Sequence, residues 1–207
     1  MLSIYKLLAI AVTLISISGF FALFTYLQFQ HFPKTITVTT YTPVARIGRG
    51  SVELVRGAML FTVLDDLLRH ANRSILVAVT LVNPYTPVKM RHNPVEEILQ
   101  DLCYARKRGV VVRVLLDQET ARDSIKVINE LSSCGVDVRI WMWPPKMYSG
   151  IVVVDGRYVV VTPSVWSVTS LVANEGPTLV FESPRLAHMA ERWFDTVWNS
   201  LHVCRAR

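Results

Sequence analysis

The stretch from Tyr148 to Glu175 limits, more than any other, what this chain can fold into. Two valine-rich runs, Ile151–Val154 and Tyr158–Val161, flank the dipeptide Asp155-Gly156. Asp-Gly between two such runs is typical of the tight turn of a β-hairpin. Because both runs are continuously apolar and do not alternate, they predict strands buried on both faces, as at the centre of a sheet that helices cover.

The rest of the chain alternates apolar strands with segments of helical periodicity. The predicted strands lie at residues 75–81, 110–116, 136–141 and 178–182, and the predicted helices at 60–72, 94–108, 121–133 and 184–201. Val52–Val55 is either a further short strand or the lead into the first helix. Asn93-Pro94 and Ser183-Pro184 are typical of a helix cap followed by the first helical residue. No repeat of 20–50 residues is visible, so the pattern predicts one α/β sandwich from about residue 51 to 203.

The N-terminus carries a separate apolar segment. Leu7–Leu27 contains no charged residue and is about as long as the ~20 residues that cross a bilayer as a helix. Aromatic residues gather at its ends and no small-residue cleavage site follows, so the sequence favours an uncleaved membrane anchor over a signal peptide. The predicted organisation is a flank at residues 1–6, an anchor at 7–27, an extended stalk or edge strand at 28–50, and a domain at 51–207.

The net charge and the cysteine content indicate which classes of ligand and metal site the chain is suited to. The net charge of +6 suits phosphate-rich ligands, but the Lys and Arg residues are scattered and membrane proteins are often basic as well. The three cysteines form no CxxC and no Cys/His cluster, so neither a structural zinc nor any other metal is predicted. Cys103 and Cys134 could form a disulfide outside the cytoplasm, although the sequence favours buried free thiols.

The order of residues around the hairpin resembles the signature of the phospholipase D superfamily. That signature reads H-x-K, four residues, D-G, a second strand, G-S-x-N, an aromatic residue and a distal N-x-E. Residues 73–79 resemble the first core strand of the family, 105–117 a helix, turn and second strand, and 193–198 the closing helix. The resemblance covers the whole of 51–207. It implies a phospholipase D-like α-β-α sandwich with a mixed, largely buried sheet, preceded here by the transmembrane helix.

The family carries out phosphoryl transfer with a pair of histidines. One attacks phosphorus and forms a phosphohistidine, the other protonates the leaving group, and lysines and asparagines hold the phosphate oxygens. Counting back from Asp155, the nucleophile position holds Tyr148 and the lysine position holds Gly150. The sequence therefore lacks the nucleophile and the phosphate clamp of the family.

The second half of the signature is also altered. The four G-S-x-N positions are Thr162, Pro163, Ser164 and Val165. Trp166 and Asn174 fit the pattern, and Glu175 comes one residue earlier than the distal acid of the family. The turn by itself accounts for Asp155, while packing and local capping account for Trp166 and Asn174.

Three basic residues are candidates for contact with a phosphate. Lys146 lies two residues before Tyr148 and would share a strand face with it. Arg91 and His92 lie in the loop after the first core strand, where binding sites of α/β proteins often form. A solvated lysine is the simpler interpretation of Lys146.

The resemblance implies a membrane-anchored PLD-like domain that is catalytically inactive and has a binding, scaffolding or regulatory role. It also implies a homodimer, or a heterodimer with another PLD-like chain, and no cofactor. Analogy with secreted relatives favours a domain outside the cytoplasm. One alternative is an active phosphodiesterase, a nuclease or phospholipase, that uses displaced residues or a partner with the intact motif. Another is a nucleic-acid-binding module.

Overall fold

The computed structural model describes residues 45–47, 50–56, 58–86, 91–118, 120, 125–141, 147–163, 165–173 and 176–201. By backbone contacts the chain divides into two units, Met1–Thr40 and Tyr41–Arg207, and all of these residues lie in the second. The predicted anchor at 7–27 lies outside them. Within the described ranges, none of the helices combines the length and the apolar character that a membrane span requires.

The described residues form ten strands and five helices. The strands are β1 (Ala45–Ile47), β2 (Gly50–Val55), β3 (Ser74–Val79), β4 (Val82–Asn83), β5 (Val111–Asp117), β6 (Asp137–Trp141), β7 (Gly150–Val154), β8 (Tyr158–Thr162), β9 (Trp166–Ser167) and β10 (Thr178–Glu182). The helices are α1 (Ala58–His70), α2 (Pro94–Lys107), α3 (Ile125–Ser133), α4 (Val168–Val172) and α5 (Pro184–Ser200). The predicted caps Asn93 and Ser183 are confirmed, since each side chain accepts hydrogen bonds from backbone N–H groups of the first turn.

Eight strands form one mixed sheet in the order β1-β2-β10-β8-β7-β3-β5-β6. The strands β3, β5 and β6 are parallel, and the remaining neighbours are antiparallel. The β7–β8 hairpin lies at the centre, as its continuous apolar runs predict. Its turn has Asp155 at φ 57° and Gly156 at φ 65°, the left-handed conformation that makes Asp-Gly the favoured hairpin pair. A separate parallel pair, β4 and β9, holds two loops together.

Helices cover the two faces of the sheet unequally. Alternate strand residues pack on one face against α1 to α4, and the others pack on the opposite face against α5. On the α5 face, Phe194 and Trp198 stack with ring centroids 5.4 Å apart and cover Leu76 and Val153. The strands of the centre are therefore buried on both faces, whereas those at the β2 edge are not.

The structure decides between alternatives that the sequence left open, and it departs from one expectation. The sheet begins at Ala45, inside the segment predicted as an extended stalk or edge strand, because β1 pairs with β2 at the edge of the sheet; Val52–Val55 belongs to a strand. Cys103 of α2 and Cys134, which follows α3, form a disulfide. The preference for free thiols is therefore wrong: the packing of α3 beside α2 brings together two residues that are 31 positions apart.

Candidate functional site

The positions of the family signature lie at the two opposite ends of the central strands. Gly150 begins β7 and pairs with Thr162, the last residue of β8, and Thr178 begins β10 beside them. These three positions, together with the residues that precede β7 and follow β3, make up what we call the motif edge. Asp155 lies at the other end of the hairpin, one full strand away from the motif edge.

Asp155 holds the hairpin turn to the start of β3. Its carboxylate accepts hydrogen bonds from the backbone N–H groups of Asn72, Arg73 and Ser74 at 2.8–3.1 Å. Hydrogen bonds to an ionised acceptor are stronger than neutral ones. The geometry therefore assigns Asp155 to the architecture of the hairpin, in addition to the turn that the dipeptide predicts.

Tyr148 occupies the nucleophile position at the motif edge. Its side chain is 80% exposed and makes no hydrogen bond or ion pair with the part of the chain that the structure describes. The preceding residue, Met147, is buried, and its carbonyl oxygen accepts a hydrogen bond of 3.0 Å from the hydroxyl of Thr80. The backbone at this point is thus fixed, while the phenol faces solvent with no base or cation among the described residues to activate it.

A neighbouring side chain packs closely against the lysine position, which is Gly150. A Cβ atom on Gly150 would lie 3.2 Å from Cγ2 of Thr162 and 3.5 Å from the carbonyl oxygen of Ala78. Thr162 is fully buried, and the hydroxyl of Thr178 donates a hydrogen bond of 2.9 Å to its hydroxyl. Where the family pattern has lysine on β7 and glycine on β8, this chain has glycine on β7 and threonine on β8. Thr162 packs against Gly150 between the two strands, and the lysine that would hold a phosphate is absent.

Neutral hydrogen bonds hold the loops of the motif edge. The hydroxyl of Thr120 donates to the carbonyl oxygen of Thr80 and accepts from the backbone N–H of Val82, both at 3.1 Å. Trp166, 1% exposed, lies in the core, and its backbone N–H donates to the carbonyl oxygen of Leu81 at 2.8 Å. The threonines 80, 120, 162 and 178 are not recognisable as a group from the sequence. Thr80, Thr162 and Thr178 stand beside apolar runs, whereas Thr120 follows Asp117-Gln-Glu and carries no such signal.

The other candidate residues lie away from this position or outside the described ranges. Arg91 and His92 are exposed just before α2, and Nδ1 of His92 lies 3.3 Å from Oε1 of Glu97. Lys146, Ser164, Asn174 and Glu175 are not among the residues that the structure describes. The structure therefore brings together Tyr148, Gly150 and Thr162, but neither Arg91 nor His92 lines the cleft beside them.

A cleft of about 420 Å³ opens beside Tyr148, on the α5 face of the motif edge. Its lining consists of Trp141, Met147, Tyr148, Ser149, Gly150, Ile151, Val161 and Trp193. None of these side chains is charged, so the described cleft offers aromatic and aliphatic surface and no electrostatic partner for a phosphate. Among the residues that the structure describes, no three His, Cys, Asp or Glu side chains form a group that could hold a metal.

The one strongly shifted acid of the described chain lies elsewhere, between α1 and α2. Burial and a hydrogen bond with Asp65 raise the pKa of Asp101 to about 6, against the opposing charge of Arg69. Nε of Arg69 lies 3.1 Å from one oxygen of Asp101, and the other oxygen is buried without a hydrogen-bond partner in the described structure. Asp101 is buried between the two helices, while Arg69 is half exposed, and neither lines the cleft beside Tyr148. The raised pKa of Asp101 is therefore explained by the packing of the helical layer.

Comparison with known proteins identifies relatives in sequence. A family model described as cardiolipin synthase, PLD-like domain, matches residues 64–198. The mitochondrial cardiolipin hydrolase of Danio rerio is 28% identical over 105 residues, which cover 50% of this chain and 46% of that protein. The phospholipase D of Rickettsia prowazekii is 27% identical over 104 residues, or 49% of this chain and 51% of that protein. The chain thus matches about half the length of these relatives.

Solved structures with the same fold include two bacterial proteins. Nuc from Salmonella typhimurium, a phospholipase D family member, aligns with a TM-score of 0.64 at 21% identity, over 76% of this chain and 100% of that one. NucT from Helicobacter pylori aligns with a TM-score of 0.59 at 14% identity, over 73% of this chain and 96% of that one. At these identities the likeness establishes the fold. Taken with the family model, which spans most of the sheet and both helical layers, it shows that the chain belongs to the PLD-like domains of the phospholipase D superfamily.

Proposed function

We propose that this chain is a catalytically inactive PLD-like domain with a binding, scaffolding or regulatory role. One observation carries the proposal: the position of the phosphate-holding lysine is Gly150, and a Cβ atom there would lie 3.2 Å from Cγ2 of the buried Thr162, which is hydrogen-bonded to Thr178. A side chain at position 150 would therefore require a small shift of Thr162. The motif edge thus lacks the cation and is tightly packed where its side chain would begin.

The remaining phenol is a poor substitute for the family's imidazole. A tyrosine hydroxyl is activated for attack on phosphorus when an adjacent base accepts its proton. The described lining of the cleft beside Tyr148 contains no base to accept its proton. Acid–base assistance alone typically contributes about 10²–10⁴ in rate, and the loss of the phosphate-holding charges adds to this.

The compartment and the assembly are further parts of the proposal. An N-terminal anchor with the domain outside the cytoplasm is supported by the uncharged run Leu7–Leu27 and by the Cys103–Cys134 disulfide, since disulfides persist in oxidising compartments. The resemblance to a family whose small members pair supports a dimer, formed either by two copies of this chain or with a PLD-like chain that has the intact motif. In either case the motif edges of the two subunits would face each other.

The test is an assay of the full-length chain in detergent micelles or nanodiscs, against a chromogenic phosphodiester, single-stranded DNA and phospholipid. We expect no turnover above a protein-free control. Tyr148→Phe serves as the site variant and Tyr104→Phe, an exposed tyrosine on α2, as its matched control. Turnover that disappears only in Tyr148→Phe would contradict the proposal and make this an enzyme with an exchanged nucleophile.

A further inference from the structure

Helix α5 leaves part of its sheet face uncovered at the motif edge. Ile151, Val161, Leu179 and Leu54 are neighbours in register across β7, β8, β10 and β2. At the usual ~4.8 Å between strands, this apolar row is about 15 Å long. Leu179 is 37% exposed and Leu54 46% exposed. A sheet face this apolar is normally covered, so the row is available to a binding partner.

An apolar side of α5 lies along this row and forms the wall of a depression. Leu186, Met189 and Trp193 recur at three- and four-residue spacing, which places them on the same side of the helix. Met189 is 51% exposed and Trp193 42% exposed. Together the row and the wall form an elongated depression, which we call the α5 groove.

Two cavities lie along the α5 groove. The first, about 360 Å³, lies near the start of the helix between Arg185, Met189 and the sheet residues Val52 and Phe181. The second is the aromatic cleft of about 420 Å³ at Trp193. From position 185 to position 193 the helix advances about 12 Å, at the ~1.5 Å rise of each residue. The two cavities share no lining residue, and the exposed Leu179 of β10 lies between them, two positions from Phe181 of the first cavity and paired with Val161 of the second.

Charge is confined to one end of the groove. Arg185 is the single charged residue in the described lining of the two cavities, and it makes no ion pair with any residue that the structure describes. It lies in the first turn of α5, which contains no acidic residue. Because a helix N-terminus carries partial positive charge, this end of the groove is suited to an anion.

We propose that the α5 groove binds a long-chain fatty acid anion. Its carboxylate would pair with Arg185, and its chain would lie along Met189 and the sheet row towards Trp193 and Trp141. The single terminal cation and the uncharged length match a ligand that is charged at one end and apolar over the rest. The carboxylate would lie at the Arg185 end of the groove, whereas the methyl end would enter the cleft that Tyr148 and Gly150 line. Binding there does not require the motif edge to be inactive.

Photo-crosslinking of the full-length chain in phospholipid nanodiscs tests this inference. The probe is a fatty acid with a photoactivatable group near its terminal methyl, and the labelled residues are mapped by mass spectrometry. We expect labelling at Trp141, Met189 or Trp193. Palmitate should compete at least about tenfold better than hexadecanol, which lacks the charge, and better than decanoate, because affinity grows with each buried methylene.

Two substitutions on α5 form the matched pair for this experiment. Arg185→Gln should reduce the palmitate-sensitive labelling at least about fivefold, because a charge-assisted hydrogen bond to the carboxylate is lost. Arg192→Gln, which changes an exposed arginine that lines neither cavity, should leave the labelling unchanged. Met189→Glu is a second variant, in which the new carboxylate should repel the ligand; thermal unfolding checks that each variant is folded.

Several outcomes would overturn the inference. These are labelling that palmitate does not displace, equal competition by hexadecanol, an equal effect of Arg192→Gln, or crosslinks at Met189 and Trp193 that join two copies of the chain. The turnover assay proposed above reads the motif edge alone, so failure of one proposal leaves the other standing.

Discussion

At the scale of single residues, the packing of the motif edge couples two positions of the family signature, Gly150 and Thr162. Gly150 and Thr162 face each other across two central strands, so the volume of one limits the volume of the other. Protein cores are close-packed and respond to changes of a single methyl group. A pair of this kind is therefore expected to accept changes only together.

Gly150→Val should lower the free energy of unfolding by about 1–3 kcal/mol, the usual cost of overpacking a core. In a Thr162→Ser background, which removes Cγ2 but keeps the hydroxyl bonded to Thr178, the same change should cost at least about 0.5 kcal/mol less. Urea unfolding of the parent, the two single variants and the double variant measures the coupling between positions 150 and 162. Equal costs in both backgrounds would show that Thr162 does not pack closely against the lysine position.

Asp155 is expected to matter for stability, since its carboxylate binds three backbone N–H groups. Asp155→Asn keeps a side chain that tolerates positive φ and should cost about 1 kcal/mol. Asp155→Ala loses the acceptor and strains the turn, so its cost should be about 2–3 kcal/mol. Denaturant titration measures both values, and an alanine variant as stable as the parent would refute the assignment.

At the scale of elements, the α1–α2–α3 layer is held by a covalent link and strained by a buried acid. The disulfide joins α2 to the end of α3, and the Asp101 carboxyl lies between α1 and α2 against Arg69 and Asp65. Neither feature belongs to the motif edge. Both therefore report on the fold without disturbing the candidate site.

Removal of the disulfide should destabilise the domain by about 3–4 kcal/mol, the loop-entropy value for a closed loop of 31 residues. The double variant Cys103→Ser/Cys134→Ser, compared with the parent in thermal unfolding, measures this. The parent under a reductant should move towards the variant, while the variant itself should not respond. A parent that is indifferent to reduction, with both thiols alkylated, would show that the pair is not linked in solution.

The raised pKa of Asp101 predicts that the free energy of unfolding depends on pH. Because its pKa is raised in the folded state from 3.8 to about 6, its contribution to stability is fully present below pH ~4 and is lost as the pH rises through about 6. The shift corresponds to at most about 3 kcal/mol at neutral pH, reduced by the solvent that screens the charges. Asp101→Asn should thus stabilise the protein at pH ~7.5 relative to its own effect at pH ~4. Asp137→Asn, at an exposed acid that makes no ion pair with any described residue, serves as the matched control. Thermal unfolding at the two pH values decides the matter.

At the scale of the whole molecule, the unequal covering of the sheet is the main feature. Four of the described helices pack on one face, and one, α5, crosses the other. The strand β1 pairs at the far edge of this sheet. The face that α5 crosses exposes apolar side chains at Leu54 and Leu179.

We expect the full-length chain to remain with membranes after an alkaline carbonate wash. Ile15→Arg/Ile17→Arg, in the middle of the predicted span, should release it, because each arginine at the centre of a span costs about 2.5–3.5 kcal/mol. Leu54→Arg/Leu179→Arg places the same charges on the exposed sheet row and should leave the chain membrane-bound. Release of the second variant but not of the first would refute the anchor.

Apart from the short elements β4, β9 and α4, the amino-acid sequence by itself determined the order of the main strands and helices, the central hairpin, the caps at Asn93 and Ser183 and the absence of the family's nucleophile. These are local properties, set by the spacing of apolar residues and by turn chemistry within a few positions. Only the tertiary structure decided that Cys103 meets Cys134, that Asp155 binds the start of β3, that Thr162 fills the space beside Gly150 and that α5 leaves the sheet row open. Each of these depends on which distant segments pack together, and that follows from strand register and helix placement, which no local pattern encodes.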